Sequence, residues 1–129
     1  MKYLVSAMLI VVGAIHLLPL TGVLGHEQLA VLYGIAFNEP NLEILMRHRA
    51  VLFGLLGAFM VYAAFKRAYQ TMAFVGGFIS VVSFLYLAWS VGGYNGQVAR
   101  VFLADAVALA CLIVGSLAHT FLKRGTSVT

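Results

Sequence analysis

Few residues in this chain could do chemistry. They are His16, the triplet Arg47-His48-Arg49, Trp89, Arg100 and Asp105. Asp105 is the one acidic residue inside the apolar stretch of a predicted helix. By helical rise it lies ~7 Å deeper than Arg100. A carboxylate facing acyl chains is costly, so Asp105 should turn inward and meet a cation, with Arg47 or Arg49 the expected partner. It could then position a ligand or handle a proton. It could equally be half of an ion pair locking the fourth helix to the second.

Arg47 and Arg49 stand ~200° apart around a helix, so one can face inward while the other reaches lipid headgroups. The guanidinium fork suits a phosphate or carboxylate. His16 and His48 are expected at similar depth on neighbouring helices. They could ligate a metal or a b-type haem, with His26 and Glu27 adding ligands from a loop. No strong ligand spacing supports that, and a hydrogen-bonded interfacial histidine is the plainer reading. His119 stands alone near the other end of the fourth helix, where a cap or a snorkelling group is expected.

These residues need a scaffold, and composition defines it. Of 129 residues 63% are hydrophobic and 9% charged, with a net charge of +4. Soluble domains carry about 25% charged residues, so this chain cannot cover a water-facing surface. The basic residues cluster at the ends of apolar runs and form no stripe interleaved with aromatics, which excludes nucleic acid as a partner. Cys111 is the only cysteine, so no intrachain disulfide forms. No phosphate-binding glycine loop, CxxC, nucleophile elbow or HExxH motif is present.

The pattern predicts an all-α fold: a bundle of four transmembrane helices in a single domain over residues 1–129, with helices near 3–24, 40–67, 71–91 and 98–122. Four spans of ~20 residues nearly exhaust the length. The first run, after Lys2, also has the outline of a cleaved signal peptide. Pro19 should bend it by removing a backbone bond to Ile15. Leu29, Leu32, Tyr33 and Ala36 fall at helical spacing and predict a short interfacial helix ending near Gly34. Gly54, Gly57 and Ala58 offer a small-residue face for close packing. Ser80, Ser83 and Ser90, with Tyr86, form a stripe expected to face the bundle. Trp89 and Tyr94 mark an interface, and residues 92–96 form a tight turn.

Lys2, Lys66–Arg67 and Lys123–Arg124 fall on one side, and the longer acidic loop falls on the other. The positive-inside rule then gives a multi-pass membrane protein with both termini cytoplasmic. Arg47, Arg49 and Arg100 oppose that count, so something must keep them on the outer side. On this topology His16, the triplet, Trp89, Arg100 and Asp105 converge at the non-cytoplasmic end.

The segment Arg47-His48-Arg49-Ala50-Val51-Leu52-Phe53-Gly54-Leu55-Leu56-Gly57 resembles the start of the second helix in DoxX-like and related small bacterial four-helix membrane proteins. Gly13 to Pro19 and Arg100 to Asp105 fit the same plan. The resemblance implies a four-helix bundle. Because some DoxX-like proteins are linked to quinone-coupled redox complexes, it also implies a quinone or lipid site.

The expected function is that of a non-enzymatic or accessory membrane protein. Its outward polar pocket would hold a lipidic or quinone-like ligand, with Arg47 or Arg49 binding it and Asp105 setting that Arg. His16, His48 and Trp89 would line the mouth. The alternatives are a haem- or metal-binding oxidoreductase subunit, and a structural partner that packs against a larger complex through Gly54 and Gly57; a homo-oligomer is a further possible assembly.

Overall fold

The computed structural model describes residues 2–19, 30–31, 33 and 40–128, with side chains to 124. The described chain is helical, with four helices: α1 (Lys2–Leu17), α2 (Pro40–Ala64), α3 (Gln70–Val91) and α4 (Gly96–Val128). Three are long and apolar enough to cross a membrane: α2, the stretch through α3, and α4. α1 is apolar but shorter, at 16 residues.

Each boundary has a local cause. α1 runs to Leu17, and Leu18 and Pro19 form a tighter turn; the rest of the expected span, 20–24, lies outside the described residues. Proline lacks the N–H and disfavours helical geometry in the residue before it, so regular helix gives way to that turn. α2 closes at Ala64, three residues earlier than expected, where Phe65 and Lys66 donate N–H bonds to Tyr62 and Ala63. A single turn at Arg67–Tyr69 then leads into α3. At the other end Gly92 and Gly93 both take φ of 67°, a region closed to most side chains. Asn95 then caps α4: its Oδ1 accepts the Val98 N–H at 2.9 Å.

α1 packs mainly on α2 and α4, and α3 closes the assembly against α4 and α2. The core comprises Val5, Leu9 and Val12 of α1, Met60 and Ala63 of α2, Phe74 and Val81 of α3, and Ala108 and Leu112 of α4. The closest approach is between α1 and α2. A Cβ on Gly57 would lie 2.8 Å from the Gly13 carbonyl, and one on Gly13 would lie 2.9 Å from that of Gly57. The small-residue face is therefore occupied inside the molecule, with Gly54 also buried. It does not face outward, where a larger complex would dock. On α4 the inward stripe runs Asp105, Ala108, Leu112, Gly115, His119, which places a polar group at each end of an apolar seam. The predicted interfacial helix lies mostly outside the described residues; Ala30, Val31 and Tyr33 are helical.

Candidate functional site

The upper end of the assembly holds a cavity of about 260 Å³. Its polar lining is His16, Tyr33, Arg49, Gln97, Arg100 and Asp105. Its apolar walls include Ile15, Leu18, Phe53, Val101 and Ala104. α1, α2 and α4 each contribute, and Tyr33 enters from the connecting segment.

Arg49 is fixed from two sides. Its Nη1 donates to the Tyr33 hydroxyl at 2.5 Å. Its guanidinium carbon lies 4.4 Å from the centroid of the Phe53 ring and 5.5 Å from that of Tyr33, within cation–π range. Tyr33 is held in turn: Asn95 Nδ2 donates to its carbonyl at 2.7 Å. Asn95 thus caps α4 and anchors the residue that aims Arg49. Ala30, Met46, Val98 and Val101 pack around Tyr33.

Asp105 is buried, 8% exposed, and turns into the cavity as expected. Arg49 lines the same cavity. The two form no direct ion pair, so the expected contact lock between α4 and α2 is absent among the described residues. Arg100 shares the cavity lining with both.

The other expected site residues go elsewhere. Arg47 faces outward and pairs with Glu43 at 3.7 Å along its own helix, which leaves Arg49 as the inward member of the triplet. His48, next to both, is exposed and does not line the cavity. Trp89 is 76% exposed and also lies off the cavity. Its ring projects from α3, which contributes no residue to the lining. Of the predicted serine stripe on α3, only Ser80 turns inward. Ser83 bonds back to the Ser80 carbonyl on an exposed face, and Tyr86 and Ser90 are exposed.

His16 is 2% exposed, and the protein engages both ring nitrogens. Nδ1 lies 2.9 Å from the Val12 carbonyl and Nε2 lies 2.9 Å from Ser80 Oγ. A carbonyl only accepts, so Nδ1 carries the proton, and in a neutral ring Nε2 accepts from the Ser80 hydroxyl. Phe53 packs on the ring at 5.6 Å. Neither nitrogen is left for iron, and His48 faces elsewhere, so the described residues do not fit a bis-histidine haem. His26 and Glu27 lie outside the described residues. Among those described, no group of three His, Cys, Asp or Glu could hold a metal ion.

His119 does not snorkel. It is 5% exposed, its Nε2 lies 2.9 Å from Thr71 Oγ1, and Phe74 packs on its ring at 5.7 Å. Lys123 donates to the same hydroxyl at 3.1 Å. His119 Nδ1 has no partner. The residues that sequence reasoning missed are Tyr33 as the holder of Arg49 and Ser80 as the partner of His16. An aromatic hydroxyl between glycines in a connecting segment was the available signal for the first. Nothing in the chain distinguishes Ser80 from Ser83 or Ser90.

Set against family models, curated proteins and solved structures, the chain matches none of them.

Proposed function

We propose that this chain is a four-helix transmembrane bundle whose cavity binds the polar head of a lipidic or quinone-like molecule. It acts as a binding or accessory protein. One observation carries this reading: an arginine is held between Tyr33 and Phe53 in the lining of a cavity that sets a few polar groups among apolar walls. Apolar walls with a few convergent polar groups are what a small-molecule site requires.

The site also accounts for the basic residues that oppose the charge count. Arg49 and Arg100 lie on the sparsely basic side because they line the cavity, while Lys66, Arg67, Lys123 and Arg124 orient the chain with both termini cytoplasmic. In this reading Tyr33 lies in the interface and α1, apolar but shorter than the others, is the fourth span. The resemblance of the Arg47 to Gly57 segment to DoxX-like proteins favours the same class of ligand, and a bacterial inner membrane as its location. Membrane lipids are the immediate partners, with a second copy or a larger complex reached through the exposed apolar faces.

The test is mass spectrometry of protein released from native membranes in mild detergent. Wild type and Arg47→Gln are expected to carry the same small amphiphile, and Arg49→Gln to lose it at least ten-fold. A wild-type protein without ligand, or an Arg49→Gln variant that keeps it, refutes the assignment.

A further inference from the structure

Asp105 is buried and faces the cavity without a protein donor among the described residues. Arg49 makes no ion pair with it, and Tyr33 and Phe53 hold that guanidinium in place. Its oxygens are open to the cavity and not sealed, so their donors must come from whatever occupies it. Whatever fills the cavity is therefore selected for a hydrogen-bond donor at Asp105 and for an acceptor at Arg49 and Arg100.

That pairing narrows the ligand. A quinone ring offers only acceptors and would leave Asp105 unmet. A phosphodiester whose alcohol carries a hydroxyl offers both: phosphate oxygens for two guanidinium forks and an O–H for the carboxylate. Charge points the same way. Arg49 and Arg100 against Asp105 leave one positive charge in the lining, which one phosphodiester neutralises. Size agrees as well. A cavity of about 260 Å³ holds a headgroup but not acyl chains. Ile15, Leu18 and Val101 provide an apolar wall for the first carbons of those chains.

We propose that the cavity takes the headgroup of an anionic glycerophospholipid whose alcohol bears a free hydroxyl, with the phosphate on Arg49 and Arg100 and the hydroxyl donated to Asp105. This rests on the ligand-binding reading above and specifies its ligand.

The test uses two lipids that differ only at the donor. Phosphatidylglycerol and phosphatidylpropanol share the phosphodiester, the charge, a three-carbon alcohol and, with matched chains, the apolar part; only the first has hydroxyls. Full-length protein in mild detergent is titrated with each and bound lipid is counted by native mass spectrometry. Wild type should prefer phosphatidylglycerol about ten-fold, the scale of a hydrogen bond to a charged group. Asp105→Ala should bring that ratio close to one. The ratio is insensitive to the lost charge, because both lipids carry the same charge. Equal binding of both lipids to wild type overturns the inference even if Asp105→Ala fails to fold, and a preference that survives in Asp105→Ala overturns it too. Displacement of phosphatidylglycerol by equimolar water-soluble glycerophosphoglycerol would assign the site to a free phosphodiester and overturn the lipid part. If both lipids bind equally and both need Arg49, only the hydroxyl specificity fails. If neither needs Arg49, the ligand site itself fails.

Discussion

His16 Nε2 lies 2.9 Å from Ser80 Oγ, and this bond ties α1 to α3, two helices that otherwise barely touch. It stands at the floor of the cavity, where the apolar core gives way to the polar end. Both groups are short of alternatives there: His16 is buried, and its Nδ1 is already committed to its own helix.

Ser80→Ala therefore leaves a buried imidazole nitrogen without a partner. A loss of about 1–3 kcal/mol is expected, read as a lowered midpoint of thermal unfolding in detergent. Adding His16→Phe should recover part of it, since the orphaned acceptor is then gone. Strictly additive losses in the double variant would mean that the two side chains are not coupled.

Gly57 gives a sharper prediction. An added methyl would meet the Gly13 carbonyl at 2.8 Å and Leu17 Cγ at 2.9 Å, and the backbone cannot yield as a side chain can. Gly57→Ala should destabilise by about 1–3 kcal/mol or more through forced separation of α1 from α2. Gly76 is the control. Its added methyl meets only Leu56 Cδ1, at 3.3 Å, which is the end of a flexible side chain. Gly76→Ala should be near neutral, with helix propensity offsetting up to about 1 kcal/mol of crowding. Equal melting shifts for the two variants would count against the helix contact described.

Tyr33 holds Arg49, so its hydroxyl should affect binding without being a main contact. Tyr33→Phe keeps the ring beneath the guanidinium and removes the acceptor. Ligand retention should fall several-fold, by about 1 kcal/mol, and less than in Arg49→Gln. Arg49→Lys should not rescue, because an ammonium cannot stack on Phe53 and bridge to Tyr33 as a planar fork does. Full retention in Arg49→Lys would show that charge alone suffices.

The pattern of legibility follows from the solvent. Helix number and the α2 start were readable, because Pro40 is a local signal, whereas α4 begins at Gly96, inside the expected turn, and runs to Val128 instead of ending near 122. The inward turn of Asp105 and the split between Arg47 and Arg49 were readable too, since a charge has few tolerable places in an apolar helix. Helix rotation elsewhere was not. When one side of a helix faces lipid and the other faces the core, both are apolar, and the periodicity that orients a soluble helix disappears. Trp89 and the serines of α3 were misplaced for that reason. The tighter turn after Leu17 was missed because hydropathy continues through Pro19 while regular helix does not.

The orientation is open to a direct chemical test. With Cys111 replaced by Ala the chain has no thiol, so single cysteines report sidedness without background. Ala68→Cys sits on the exposed turn beside Lys66 and Arg67, and Gly96→Cys opens α4 with nothing within 4 Å of its new Cβ. The two positions flank α3, which is long enough to span, so they must lie on opposite faces if it does. In sealed cells a membrane-impermeant maleimide should label Gly96→Cys and spare Ala68→Cys until the membrane is opened. The reverse pattern would place the cavity toward the cytosol and remove the explanation for Arg49 and Arg100. Labelling of both in intact cells would mean that α3 does not cross the membrane.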